Sequence, residues 1–158
     1  MSTAVRSQTP IKNETDLRTD LARLTSNFGA LKVEWRPDGI FVLTYLKPSR
    51  EASDEATLTQ RWFNENFSGK PAVMQIADVR AGMPPVSYNI QKINEVLASY
   101  PNGPVLWVAT IVAGRDNIFI QGGMSLINRI RNRLKIRTFA GNQYDAAIDW
   151  LYTAPKEN

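Results

Sequence analysis

Carboxylates, lysines, arginines and serines carry whatever chemistry this chain performs, because it holds no histidine and no cysteine. Without histidine it lacks the usual general base near neutral pH and the commonest metal ligand. Without cysteine it has no thiolate nucleophile, disulfide or thiolate zinc site. Carboxylate pairs, lysine nucleophiles and Ser-Lys dyads stay open by inventory. The acids Asp54, Glu55, Asp78, Glu95, Asp145 and Asp149, however, fall on different elements and form no pair spaced for metal binding or acid–base work. The expectation is a non-enzymatic protein with no catalytic residue, no cofactor and no metal.

Binding chemistry is better represented. Arg115, Arg129, Arg131, Arg133, Lys135 and Arg137 stand against one acid, Asp116, so this segment carries the positive balance of a chain whose formal net charge is +4. On a helix, Arg129 and Arg133 share a face opposite Ile127, Ile130 and Leu134. That face is either simply solvated or a patch for an acidic protein surface or anionic lipid. No aromatic falls between Phe119 and Phe139, which argues against nucleic acid. Gly122-Gly123-Met124-Ser125 reads as a glycine turn opening a helix, either a cradle for an anion or a point of close packing. It has neither the lysine of a Walker loop nor the third glycine of a dinucleotide fingerprint. Trp35, Trp62, Trp107 and Trp150 are core residues or the lining of an apolar pocket.

The elements that must position these groups fit one domain of 158 residues, 43% of them hydrophobic. Residues 1–12 read as a flexible polar tail. A helix is expected over 13–31, capped by Asn13, with Leu17, Leu21, Leu24, Phe28 and Leu31 in one stripe. The stripe either packs on its own domain or forms a two-helix seam in a homodimer. Lys32 to Leu46 reads as a β-hairpin around Arg36-Pro37-Asp38-Gly39. A helix follows from about Ser53, with Leu58, Trp62, Phe63 and Phe67 as its buried candidates. Then come a strand over 72–77 and a loop with Gly82, Pro84 and Pro85. Ser87 is expected to cap a helix beginning near Tyr88 that carries Ile90, Ile93, Val96 and Leu97. Val105 to Val112 is the strongest strand and is read as central. A helix over 118–134, a strand over 135–139 and a last helix capped by Asn142 complete the chain. Alternating helices and strands predict an α/β fold: a mixed sheet of about five strands, an antiparallel hairpin followed by parallel strands, with four helices and the extra one at the N-terminus. No apolar run is long enough for a signal peptide or membrane span, which points to the cytoplasm.

The order of elements, with Asp38-Gly39 in the opening hairpin, Ile76-Ala77-Asp78-Val79 before a variable loop, and Thr138-Phe139-Ala140-Gly141-Asn142 leading into Ala147-Ile148-Asp149-Trp150-Leu151, resembles the STAS/SpoIIAA-like family of anti-sigma-factor antagonists over residues 32–153. The resemblance implies a bacterial regulatory or adaptor domain acting through protein–protein contact, with Asp78, Arg80 and Tyr88 on the partner-binding loop. It also implies an alternative, a carrier of a small apolar or lipid-like ligand between sheet and helices, as in lipid-transfer relatives of the fold. In regulatory members a serine in this loop is phosphorylated, and the matching residue is Ser87. Here Val86 replaces the family's aspartate, and Pro84-Pro85 precede it. Ser87 therefore carries two readings, phosphosite or helix cap.

Overall fold

The computed structural model describes residues 12–113 and 133–156. Most of the helix expected over 118–134, with Arg129 and Gly122-Gly123, lies outside the described residues, as does most of the N-terminal tail; the helix's expected last residue, Leu134, instead starts a strand. The chain begins with α1 (Glu14–Thr25), the hairpin β1 (Leu31–Trp35) and β2 (Phe41–Tyr45), and α2 (Arg50–Asn66). It continues through β3 (Ala72–Asp78), α3 (Val86–Ser99), β4 (Val105–Val112), β5 (Leu134–Ala140) and α4 (Tyr144–Thr153), ending in a 3-10 turn. The sheet runs β1-β2-β3-β4-β5. β1 and β2 pair antiparallel and all the other pairs are parallel. The expected α/β fold with a mixed five-stranded sheet is what forms. The middle strand, however, is β3 rather than β4.

The hairpin follows from its turn. Gly39 takes φ of 91°, its N–H donates to Arg36 O at 3.0 Å, and Arg36 N–H donates to Ile40 O at 2.9 Å. A left-handed residue after a tight turn suits glycine, and Pro37 presets the turn before it. Beyond the turn the alternation of β2 sends Phe41, Leu43 and Tyr45 to one face of the sheet and Ile40 and Val42 to the other. β4 repeats the pattern, with Leu106 and Val108 on the first face and Trp107, Ala109 and Ile111 on the second. The first face is covered by α1, α2 and α3. On the second, Ala147 and Leu151 of α4 pack against β3, β4 and β5.

Several expectations are corrected by the structure. Asn13 caps α1 as expected, accepting from Asp16 N–H at 2.8 Å, but the helix stops at Thr25. Phe28 lies in the loop beyond it and Leu31 starts β1. The cause is Glu55 on α2, a carboxylate only 7% exposed, whose oxygens accept the N–H groups of Gly29, Ala30 and Leu31 at 2.8–3.2 Å. Those donors leave the helical path to reach it. Leu17 and Leu21 are buried in the domain's own core, with Leu24 and Phe28 partly buried beside them, so the stripe packs on its own domain. Arg18 fastens α1 further, its guanidinium 4.3 Å from the centre of the Trp35 ring and donating to Trp35 O at 2.8 Å.

Helix α2 starts at Arg50, capped by Ser49, and not near Ser53, which is buried within it. Its inner face combines small Ala52, Ser53, Ala56 and Thr59 with Trp62 and Phe63. Leu58 points outward and is 47% exposed. Phe63 enters an aromatic cluster with Phe41 at 4.5 Å, and Trp35 stacks on Phe41 at 4.8 Å. Burying each such side chain contributes about 1.5–3 kcal/mol. At the other end, Gln143 rather than Asn142 precedes α4, and its side chain turns back to accept Ala140 N–H at 2.9 Å. No helix among the described residues is long and apolar enough to cross a membrane.

Glu55→Gln keeps the shape but removes the charge and offers an amide NH2 where only acceptors fit. It is expected to lower stability by about 1–3 kcal/mol, read by urea denaturation, because buried backbone donors lose charge-assisted partners.

Candidate functional site

The register of the sheet brings small side chains together on the face below α2 and α3. Ala77 of β3 lies between Leu43 of β2 and Thr110 of β4, and Thr110 lies beside Thr138 of β5. The next row, Phe41, Gln75, Val108 and Ile136, is larger. A dent of alanine and threonine beneath helices held apart by bulkier rows leaves a cavity of about 70 Å³. Its walls are Leu43, Val79, Val108 and Ile136 from the sheet side, and Met83, Val86 and Ile93 from the loop and helix opposite. Ala77, although in the middle strand, is only half-buried because it looks into this space.

The polar part of the wall is sparse and uncharged. Gln60 of α2 and Gln75 of β3 clasp one another through two amide hydrogen bonds, 2.8 and 3.1 Å long. Tyr45, Asn89 and Thr110 complete it. Burial raises the Tyr45 phenol well above its ordinary value, so it is a neutral donor at any physiological pH. Among the described residues, no acid or base lines the cavity, and no group of three acids is placed to hold a metal.

The loop from β3 to α3 forms one side of the cavity's wall. Its fit is close: a Cβ on Gly82 would stand 2.8 Å from Pro48, so only glycine lets this loop lie against the segment between β2 and α2. The sequence-derived partner residues are spread over three elements: Asp78 ends β3, Arg80 is exposed in the loop, and Tyr88 lies in the first turn of α3. Asp78, 8% exposed, points to the α4 side of the sheet and is held by Arg80 at 2.7 Å. Arg80 continues to Gly141 O at 3.4 Å and lies 5.9 Å from the Tyr144 ring centre. Tyr88 donates to Asp54 at 2.5 Å, tying α3 to α2, and its ring sits between Arg50 and Lys92.

Ser87 is exposed, but it is not the cap of α3. The helix starts at Val86, so the N-cap position falls on Pro85, which has no side-chain acceptor, and Ser87 already lies inside the first turn. Arg133 does not lie on a helix with Leu134 as its apolar neighbour. It occupies a turn before β5, donating to the carbonyls of Tyr100 and Leu97 at the end of α3. A cation there meets the negative end of the helix dipole. Its supposed companion Arg129 is outside the described residues, so the pair is not assembled by the structure. Sequence reasoning missed Tyr45, Gln60, Gln75 and Thr110. The available signal was Gln75, the one polar residue within Ala72-Val73-Met74-Gln75-Ile76-Ala77.

The Asp78–Arg80 link sets a pH dependence. Burial raises the Asp78 carboxyl, but hydrogen bonds from the Arg80 side chain and backbone N–H, with the guanidinium charge, more than offset this and hold it below its usual value. The link therefore adds stability above the unfolded-chain value of about 3.9 and loses it as pH falls through the lower folded value. Asp78→Asn is expected to lower the melting temperature at pH 7, with the difference from wild type closing as the pH drops below about 4 in thermal melts. No protein-family model matches this chain and no curated protein matches it significantly, so the functional reading rests on the geometry.

Proposed function

We propose that this domain is a non-enzymatic binding module that holds a small, largely apolar ligand between its sheet and helix α3. The cavity over Ala77 and Thr110 carries this reading, because a packed interior ordinarily leaves few voids larger than a water molecule. Apolar walls with a few polar groups are the chemistry of small-molecule sites, and this one is partly open to solvent, so a ligand larger than its 70 Å³ can extend outward from it. The cavity lies towards the carboxyl end of β3 and β4, beside the loop that leads into α3. Among the described lining residues there is no nucleophile–base pair, which favours holding over reaction.

The reading is tested with Nile red, an uncharged dye that brightens in apolar sites. Wild type is expected to enhance its emission saturably. Ala77→Phe, which fills the dent, is expected to abolish the enhancement while the far-ultraviolet circular dichroism stays unchanged. Undiminished emission from a folded Ala77→Phe protein would set the cavity aside.

A second reading, a regulatory domain acting through protein contact as the STAS resemblance implies, is favoured by Ser87. Its hydroxyl is exposed in the first turn of α3, next to Val86 of the cavity wall, and it serves no cap. Ser87→Ala is therefore expected to change stability by no more than about 0.5 kcal/mol, as for an ordinary surface site. A loss near 1 kcal/mol in denaturant titration would restore the capping role.

A further inference from the structure

We infer that the cavity selects an uncharged ligand bearing a hydrogen-bonding oxygen, a hydroxyl or carbonyl, which Tyr45 and Thr110 receive. The inference rests on the ligand-binding reading above and adds the chemical class.

Two observations carry it. The first is an unmet hydrogen-bonding capacity. Tyr45 is 6% exposed and Thr110 is 5% exposed, both line the cavity, and neither hydroxyl has a hydrogen-bond partner among the described residues. Buried tyrosine hydroxyls ordinarily find one, and neither oxygen is among the fully enclosed unpartnered atoms, so both stay open to a partner entering the cavity. Gln60 and Gln75 each spend one N–H and one oxygen lone pair on the other. The second N–H of each amide, with its remaining acceptor capacity, is left over. The wall thus presents donors and acceptors at several points, with apolar surface around them.

The second observation is the absence of countercharge. Among the described lining residues there is no arginine, lysine, aspartate or glutamate. A carboxylate or ammonium entering this space would give up its hydration for neutral dipoles, whereas a hydroxyl or ester carbonyl gives up far less and recovers it from Tyr45 and Thr110. Fatty alcohols, esters and amides fit this chemistry, and fatty acid anions do not.

The test uses octanol, octanoate and octane as competitors for bound Nile red at pH 7. Octanol is expected to displace the dye at least about tenfold more effectively than octanoate. Tyr45→Phe is expected to weaken octanol by about fivefold, leave octane unchanged and leave the melting temperature of the empty protein no lower, since the deleted hydroxyl has no protein partner to lose. Thr110→Val, nearly the same shape, provides the same comparison should Tyr45→Phe fold poorly. Octanoate competing as well as octanol, or Tyr45→Phe and Thr110→Val weakening octane as much as octanol, would overturn the inference and leave the cavity reading intact. Nile red failing to bind wild type at all would remove both.

Discussion

A single buried carboxylate organises the N-terminal half of this domain. Glu55 sits on the inner face of α2 and gathers the N–H groups of Gly29, Ala30 and Leu31, at the point where α1 has ended and β1 begins. Ala30 and Leu31 are buried and would otherwise leave their N–H groups without partners, and a carboxylate in the same place would otherwise be buried without donors. Each side removes the other's penalty. The bond set also fixes where β1 starts, and therefore the register Leu31↔Tyr45 of the hairpin and the placement of Phe41, Leu43 and Tyr45 on the face below α2. Tyr45 reaches the cavity as the last residue of the strand that this anchor aligns.

The cavity is the converse case, set by what is small rather than by what is charged. Neighbouring strands place Leu43, Ala77, Thr110 and Thr138 in one row across the sheet. The aromatic residues that fill the rest of this face, Phe41, Trp62 and Phe63, are drawn into a cluster towards β1 and the C-terminal half of α2. Bulk is thus concentrated at one side, and the interior above β3 and β4 is left less filled. The Gln60–Gln75 clasp braces α2 against β3 at the boundary between these regions. A tightly packed end and a looser end coexist because the same sheet supports both.

Much of the fold was legible because its signals are local. Pro37 and Gly39 specify a turn whatever surrounds them, and the apolar runs at β3 and β4 bury themselves in any arrangement with helices on both faces. The α1 boundary was not legible, since it is decided by a side chain on another helix. Leu58 misled for a related reason: hydrophobicity suggested its burial, whereas α2 turns its small residues to the sheet and gains a closer approach. Ser87 misled because the helix begins one residue earlier, at Val86, which leaves Pro85 and not the serine at the N-cap position. The cavity residues were the least accessible of all. Ala77 and Thr110 are unremarkable in their own strands, and only the pairing of β3 with β4 sets them side by side.

The sequential strand order leaves β1 and β5, at opposite ends of the sheet, each with one strand neighbour among the described residues. Their backbones present hydrogen-bonding groups that another chain could extend. On β1, however, Lys32 and Glu34 stand exposed and paired to each other at 3.2 Å, and on β5 Lys135 and Arg137 project from the α4 side. Two copies meeting β5 to β5 would bring these cations together and strip their water, with no acid on either strand to compensate. Crowded copies of the domain therefore meet an electrostatic barrier at this border, which guards against the open-ended cross-strand stacking that leads to fibrils.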